Sequence, residues 1–254
     1  MKKIFQQLQM EAIRIARQYP APDFYRDFEA EVARSYLFFI SDAETRQIHH
    51  CVRESIENDY GHGIDHSKKV ALDAGVLMLV EGGRAGYGEK QLCRLLRLAH
   101  CAGLLHDICR KEKKHARAGA VEAEKILLAQ GFQGGETSDI CRAIANHEAF
   151  GDNEGGNSLE GELLSNCLYD ADKFRWGPEN FTHTVWSMVA YMDVSIDEFM
   201  TYYPRGMAYL RKIRETFRTP TGRVYGPQFI DIGLAIGKDL YQLIRSDYLD
   251  PRAS

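Results

Sequence analysis

Residues 95–115, LLRLAHCAGLLHDICRKEKKH, decide how the rest of the chain reads. Leu92, Leu95, Leu96, Ala99, Gly103 and His106 recur at helical spacing. A long helix over about 90–108 therefore presents an apolar stripe that His106 closes. Gly103, one turn earlier, lacks the side chain that would hold a second helix at a distance. Asp107 projects about 100° further round. The two side chains cannot stack, yet an imidazole and a short carboxylate can meet an ion in the groove between helices. On the dipeptide alone the simpler reading is a core histidine satisfied by a neighbour, with Asp107 capping or facing solvent.

The surrounding chain bounds what this helix belongs to. Its 254 residues are enough for one large domain or two small ones with a substantial core. A net charge of −4 gives no bulk attraction to nucleic acid or to a membrane. Met1-Lys2-Lys3 leads into a mixed polar helix, so no signal peptide is expected, and no segment has the apolar length of a membrane span. The six cysteines (Cys51, Cys93, Cys101, Cys109, Cys141, Cys167) form no CxxC pair and read as reduced, buried residues of a cytoplasmic protein.

Taken in order, the segments are helical throughout. Residues 2–19 and 23–40 read as helices, separated by Pro20 and Pro22, and Ser41 or Asp42 caps a helix over 43–58. Gly61-His62-Gly63 makes a turn, and Asp65 caps helix 66–80, in which His66 begins a stripe continued by Val70, Leu77 and Val80. A Gly-rich loop over 82–88 precedes the central helix. Helix 115–130 ends at Gly131, Gly134-Gly135 turns the chain, and Thr137 or Ser138 caps a short helix carrying Ile140, Ile144 and His147 on one side. After a polar loop at 151–157, Asn157 and Glu160 fit a capping box for helix 158–175. There Leu164, Leu168 and Asp172 form one row, and Leu163, Cys167 and Asp170 the next. Trp176-Gly177-Pro178 breaks that helix. Helices over 182–200 and 204–217 follow, then a turn or short hairpin at 219–227 and a last helix over 228–246. The aromatic set Trp176, Trp186, Tyr191, Tyr202 and Tyr203 reads as core. No strand alternation is sustained anywhere, and the fold class is all-α.

His66, His106, Asp107, His147 and Asp172 thus begin or end apolar stripes on different helices, with His115 just after the central one. One inward histidine is ordinarily structural. Several at the site-facing ends of helices are hard to accommodate without an ion, because uncompensated charge in a core costs several kcal/mol. Imidazoles with carboxylates suit Mn, Fe, Co, Ni or Zn, or Mg with few waters, and exclude a thiolate site.

The ordered pieces GHGIDHSKKVA, LLHDIC and LYDADKF, on separate helices over about 60–176, resemble the H…HD…D pattern of the HD-domain superfamily of metal-dependent phosphohydrolases. The resemblance implies an HD-like helical bundle with additional helices at 1–58 and 177–254, folded as a single domain. It implies His66, His106, Asp107 and Asp172 as ligands to a divalent metal ion. Asp172 is preferred to Asp170 because the last ligand in the family tends to precede a basic residue, here Lys173. HARAGA around His115 and IANHEAF around His147 are similar to the extra histidines that some HD proteins turn to a second ion or to substrate phosphate. The Gly-Tyr-Pro triplet of the cyclic-dinucleotide phosphodiesterases is absent, and small bacterial HD hydrolases are the nearest branch.

The expected activity is metal-assisted hydrolysis of a nucleotide or other small phosphate ester or anhydride. Asp107 is among the expected catalytic residues. His115 and His147 are expected on the substrate side of a one-ion site, with a second ion as the alternative. Arg110, Lys111 and Lys173 are the candidate phosphate contacts, against the plainer reading of the 110–114 run as a solvated loop. Two other classes remain open: an HD-type di-iron oxygenase, and a metal- or nucleotide-binding regulatory module without turnover.

Overall fold

A computed structural model describes residues 2–55, 63–151, 155 and 158–249. Its α-helices are α1 (Lys3–Ala16), α2 (Asp23–Asp27), α3 (Glu29–Ser41), α4 (Ala43–Ser55), α5 (Ile64–Arg84), α6 (Glu89–Leu105), α7 (His115–Ala129), α8 (Gly134–Ala145), α9 (Leu159–Phe174), α10 (Val185–Met192), α11 (Ile196–Ile213) and α12 (Pro220–Ile244). Short π-helical turns cover Asn180–Thr184 and Arg245–Leu249. Among the described residues there is no strand.

The layout is organised by α5 and α6. Beyond its first turn α5 is buried nearly all round, which places it at the centre of the bundle. Against it lie α3, α6 and α9, while α7 and α8 form a hairpin whose second arm packs on α6 and α9. At Gly103 the two central helices touch: a β-carbon there would lie 2.4 Å from the Ala71 Cα and 2.6 Å from its backbone nitrogen. Since the obstacle is backbone, Gly103→Ala must push the helices apart. A loss of about 1–3 kcal/mol is expected, read as a lower urea midpoint. An unchanged midpoint would mean the helices part freely at this point.

Helices α1, α11 and α12 complete the body, α12 packing on α9, α5, α1 and α11. One continuous apolar cluster runs from Phe5 to Ile244 and draws on every α-helix. No helix is long and apolar enough to cross a membrane. All six cysteines are free, Cys101 and Cys167 fully buried.

Several boundaries differ from the sequence reading, and each has a local cause. The helix expected over 23–40 is broken at Phe28 (φ −119°, ψ 37°). There the Phe24 ring packs on Phe174 at 5.0 Å and the Phe28 ring on Tyr225 at 5.4 Å between centroids. Asp65 lies inside the first turn of α5, with Gly63 as cap, and α5 runs on through Gly82 and Gly83. Gly134 and Gly135 are likewise the first helical residues of α8 rather than a turn. Asp42 does cap α4, its Oδ2 accepting from the Thr45 amide at 3.0 Å.

Helix α9 is capped by Ser158, whose Oγ accepts from the Gly161 amide at 2.9 Å, while Glu160 is taken by Gln91 and Arg94. Asn157 lies outside the described residues, as do Gly61 and His62. The break expected near 201–203 falls instead at Asp193–Ser195, where Ser195 and Glu198 form a capping box. Pro204 then sits on the exposed face of α11 while Tyr203 beside it is buried.

The expected turn or hairpin at 219–227 is the start of α12. Thr219 caps it by accepting from the Gly222 amide at 2.8 Å, and Pro220 occupies the first helical position. Of the aromatic set read as core, Trp186 and Tyr203 are core, Tyr202 is 62% exposed, and Trp176 lines a cavity described below. The Tyr191 side chain lies outside the description.

Candidate metal centre

Five helix ends converge on one point. His66 lies in the first turn of α5, and His106 and Asp107 follow directly on the last turn of α6. His115 opens α7, His147 follows the end of α8, and Asp172 lies in the last turn of α9. Helix α6 stops at Leu105, earlier than its stripe suggests, and the chain then turns through 106–114. That stop aims Asp107 into the site rather than along the helix face. Lys114, in the left-handed region at φ 58°, redirects the backbone into α7 and brings His115 back over Asp107.

The six side chains form two clusters that share a carboxylate. In the first, the His66 and His106 Nε2 atoms are 3.3 Å apart. Asp107 Oδ2 is 3.4 Å from His106 Nε2 and 3.9 Å from His66 Nε2. Asp172 Oδ1 is 3.4 Å from His66 Nε2 and 3.7 Å from His106 Nε2. In the second, His115 and His147 Nε2 are 3.3 Å apart, and each is 3.5 Å from Asp107 Oδ1. Donor atoms about 2.1 Å from one tetrahedral ion lie about 3.4 Å from one another. Both clusters fit that spacing, and both donor sets are of a kind that holds a divalent ion.

The imidazoles are oriented for this. His106 donates Nδ1–H to the Gly103 carbonyl at 2.8 Å, and His147 donates Nδ1–H to the Ile144 carbonyl at 2.7 Å. Each therefore turns its Nε2 inward. Burial would lower the His106 pKa, but the Asp107 and Asp172 carboxylates outweigh it and hold the ring protonated up to about 10. Burial would raise Asp172, but the Lys173 ammonium and the hydrogen bonds from His106 and His66 hold it well below the usual carboxylate range. The field of the first cluster thus favours positive charge among its donors. His115 is pushed down to about 3, by burial first and by the Arg110 guanidinium second.

Asp172 carries its carboxylate into the cluster and Asp170 does not. Asp170 accepts from the Arg218 and Thr219 amides, both at 2.8 Å, and from the Thr219 hydroxyl at 2.7 Å. It ties α9 to the start of α12.

A cavity of about 230 Å³ opens on the second cluster. It is lined by Asp107, His115, His147 and Asp172 together with Arg110, Glu148, Lys173, Trp176 and Tyr209. Arg110 donates to His115 Nε2 at 2.6 Å. Lys173 is buried, its ammonium donating to Asp172 Oδ2 and to the His147 carbonyl, so it braces both clusters. Lys111 is exposed and lies outside the cavity wall.

Two features escaped the sequence reading. Glu148 Oε1 lies 2.8 Å from His115 Nδ1, an ion-pair distance, and its only linear signal is adjacency to His147. Beneath the site Arg175 joins Asp73, Tyr25 and Glu179, and Lys69 joins Glu179. Those residues come from α2, α5 and the segment just after α9, and carry no shared motif.

Residues 63–177 match the family model of the HD domain. All six converging residues fall within that span. No curated protein and no solved structure gives a match.

Proposed function

Residues 63–177 of this chain are an HD domain, of the superfamily of metal-dependent phosphohydrolases, and from that premise we propose that the protein hydrolyses a small phosphate ester or anhydride at a two-ion centre. His66, His106, Asp107 and Asp172 would hold one divalent ion, and Asp107, His115 and His147 the other. The observation that carries this reading is the divided carboxylate of Asp107, one oxygen facing each histidine pair. It favours two ions over the single ion expected from the sequence. Such ions supply Lewis-acid polarisation of a phosphoryl oxygen and activation of a water. Imidazole and carboxylate donors suit Mn, Fe, Co, Ni or Zn better than Mg, whose shell is oxygen.

The chain's own groups do the rest. Arg110 reaches into the cavity with a planar fork suited to phosphate oxygens. Lys173 fixes one oxygen of Asp172 and so leaves the other for the ion. A volume of about 230 Å³ accepts a phosphoryl group with a small leaving group, or the terminal phosphate of a nucleotide whose base rests at Trp176 and Tyr209. The same two-ion geometry is what an HD-type di-iron oxygenase needs, and O₂-dependent turnover by an iron-loaded preparation would mark that reading instead.

The test is a metal count on protein purified without chelator, with a phosphatase and phosphodiesterase substrate panel. Wild type should carry about two ions per chain, and His147→Ala about one, with hydrolysis lost. An unchanged count in His147→Ala would return His147 to the substrate side of a one-ion site. A metal-loaded chain inert across the whole panel would remove the hydrolase reading.

A further inference from the structure

The two clusters are unequal in charge. The first has two carboxylates, Asp107 and Asp172, against two imidazoles. Among the described residues the second has its share of Asp107 against His115 and His147, and the Arg110 guanidinium stands beside it. A divalent ion there would be poorly neutralised by its own donors.

Glu148 redresses this. Its carboxylate lies on the far side of the His115 ring, Oε1 being 2.8 Å from Nδ1. Arg110 donates to His115 Nε2, so the ring proton is on Nδ1, the nitrogen that faces the Glu148 carboxylate, and an ion held by Nε2 would take the place of that guanidinium. The corresponding protons of His106 and His147 go to neutral backbone carbonyls. His115 is the imidazole of these three with a carboxylate behind it. A carboxylate in that place fixes the tautomer, holds the ring plane and makes Nε2 a stronger donor.

We propose that Glu148 is a positioning residue for the second ion, acting through His115: it sets the ring's orientation and supplies the negative charge the second cluster lacks. The inference rests on the two-ion reading above. The Glu148 side chain is 38% exposed, so its replacement should leave the fold intact.

The experiment is a Co²⁺ titration of the chelator-treated full chain, followed by visible absorption of the bound ion, for wild type, Glu148→Gln and Glu148→Ala. Wild type should fill in two steps. In Glu148→Ala the weaker step should lose up to about 100-fold in affinity while the tighter step is unchanged. Glu148→Gln keeps an acceptor for Nδ1–H but drops the charge, and should recover part of the loss, to within about tenfold of wild type. Two wild-type steps retained in Glu148→Ala, or equal weakening of both steps, would overturn the role of Glu148 alone. A single step in wild type would overturn the two-ion reading and this inference with it.

Discussion

Asp107→Ala should strip the protein of both ions and of all metal-dependent turnover. Its two oxygens face different histidine pairs, Oδ2 towards His66 and His106 and Oδ1 towards His115 and His147. No other described side chain is placed to serve both clusters. Among the described side chains, removing it leaves the second cluster with two imidazoles, too few donors for a stable site. Lewis-acid stabilisation is worth several kcal/mol, so hydrolysis should fall by more than about 10³-fold. The metal count per chain should drop towards zero, and the variant should lose the wild-type shift of melting temperature with EDTA, since a bound ion stabilises the native state by mass action. Full occupancy with retained turnover would make the central His-Asp pair structural. Asp172→Ala is the informative contrast, because it should empty the first position and leave the second filled.

The other large effect belongs to Arg175. Its guanidinium is buried and holds Asp73 on α5, the Tyr25 hydroxyl on α2 at 2.7 Å and Glu179 at 2.8 Å. In Arg175→Met the Asp73 carboxylate stays buried with Tyr25 as its remaining donor, at 3.0 Å. Removing one partner of a buried pair costs about 3–5 kcal/mol, because the other charge is left uncompensated. For a chain of this length that is a fall in melting temperature of roughly 6–20 °C. The double variant Arg175→Met/Asp73→Leu should recover most of it, since the orphaned charge is gone. A double variant no better than the single would show that the guanidinium acts by packing. The network spans α5, α2 and the segment just after α9, so the single variant should also weaken ion binding by loosening His66 against Asp172.

Most of what periodicity can encode was legible in advance. The stripe Leu92–His106 gave the central helix, and Gly103 its close approach to another, because burial of one face is a local property of residue order. The same logic turned His66, His147 and Asp172 inward. The all-α class and the HD resemblance rest on those stripes and on three short motifs, whose His66, His106, Asp107 and Asp172 lie within the 63–177 match.

What the chain order could not contain is any fact that depends on where two helices stand relative to each other. The start of α12 reads as a turn because the acceptor that holds Thr219, Asp170, lies 49 residues upstream. The choice between Asp170 and Asp172 follows from that same bond, which commits one carboxylate to α12 and leaves the other for the cluster. Lys173 reads as a phosphate contact, and only the packing shows that its ammonium also bridges Asp172 and the His147 carbonyl. Asp107 reads as one ligand of one ion. It becomes the shared centre of two clusters only because α7 and α8 bring His115 and His147 within 3.5 Å of its second oxygen. Residue order therefore determined which side chains face inward. The packing of α5 through α9 decided which of them meet, because a distance between helices is set by core contacts far from the residues that use it.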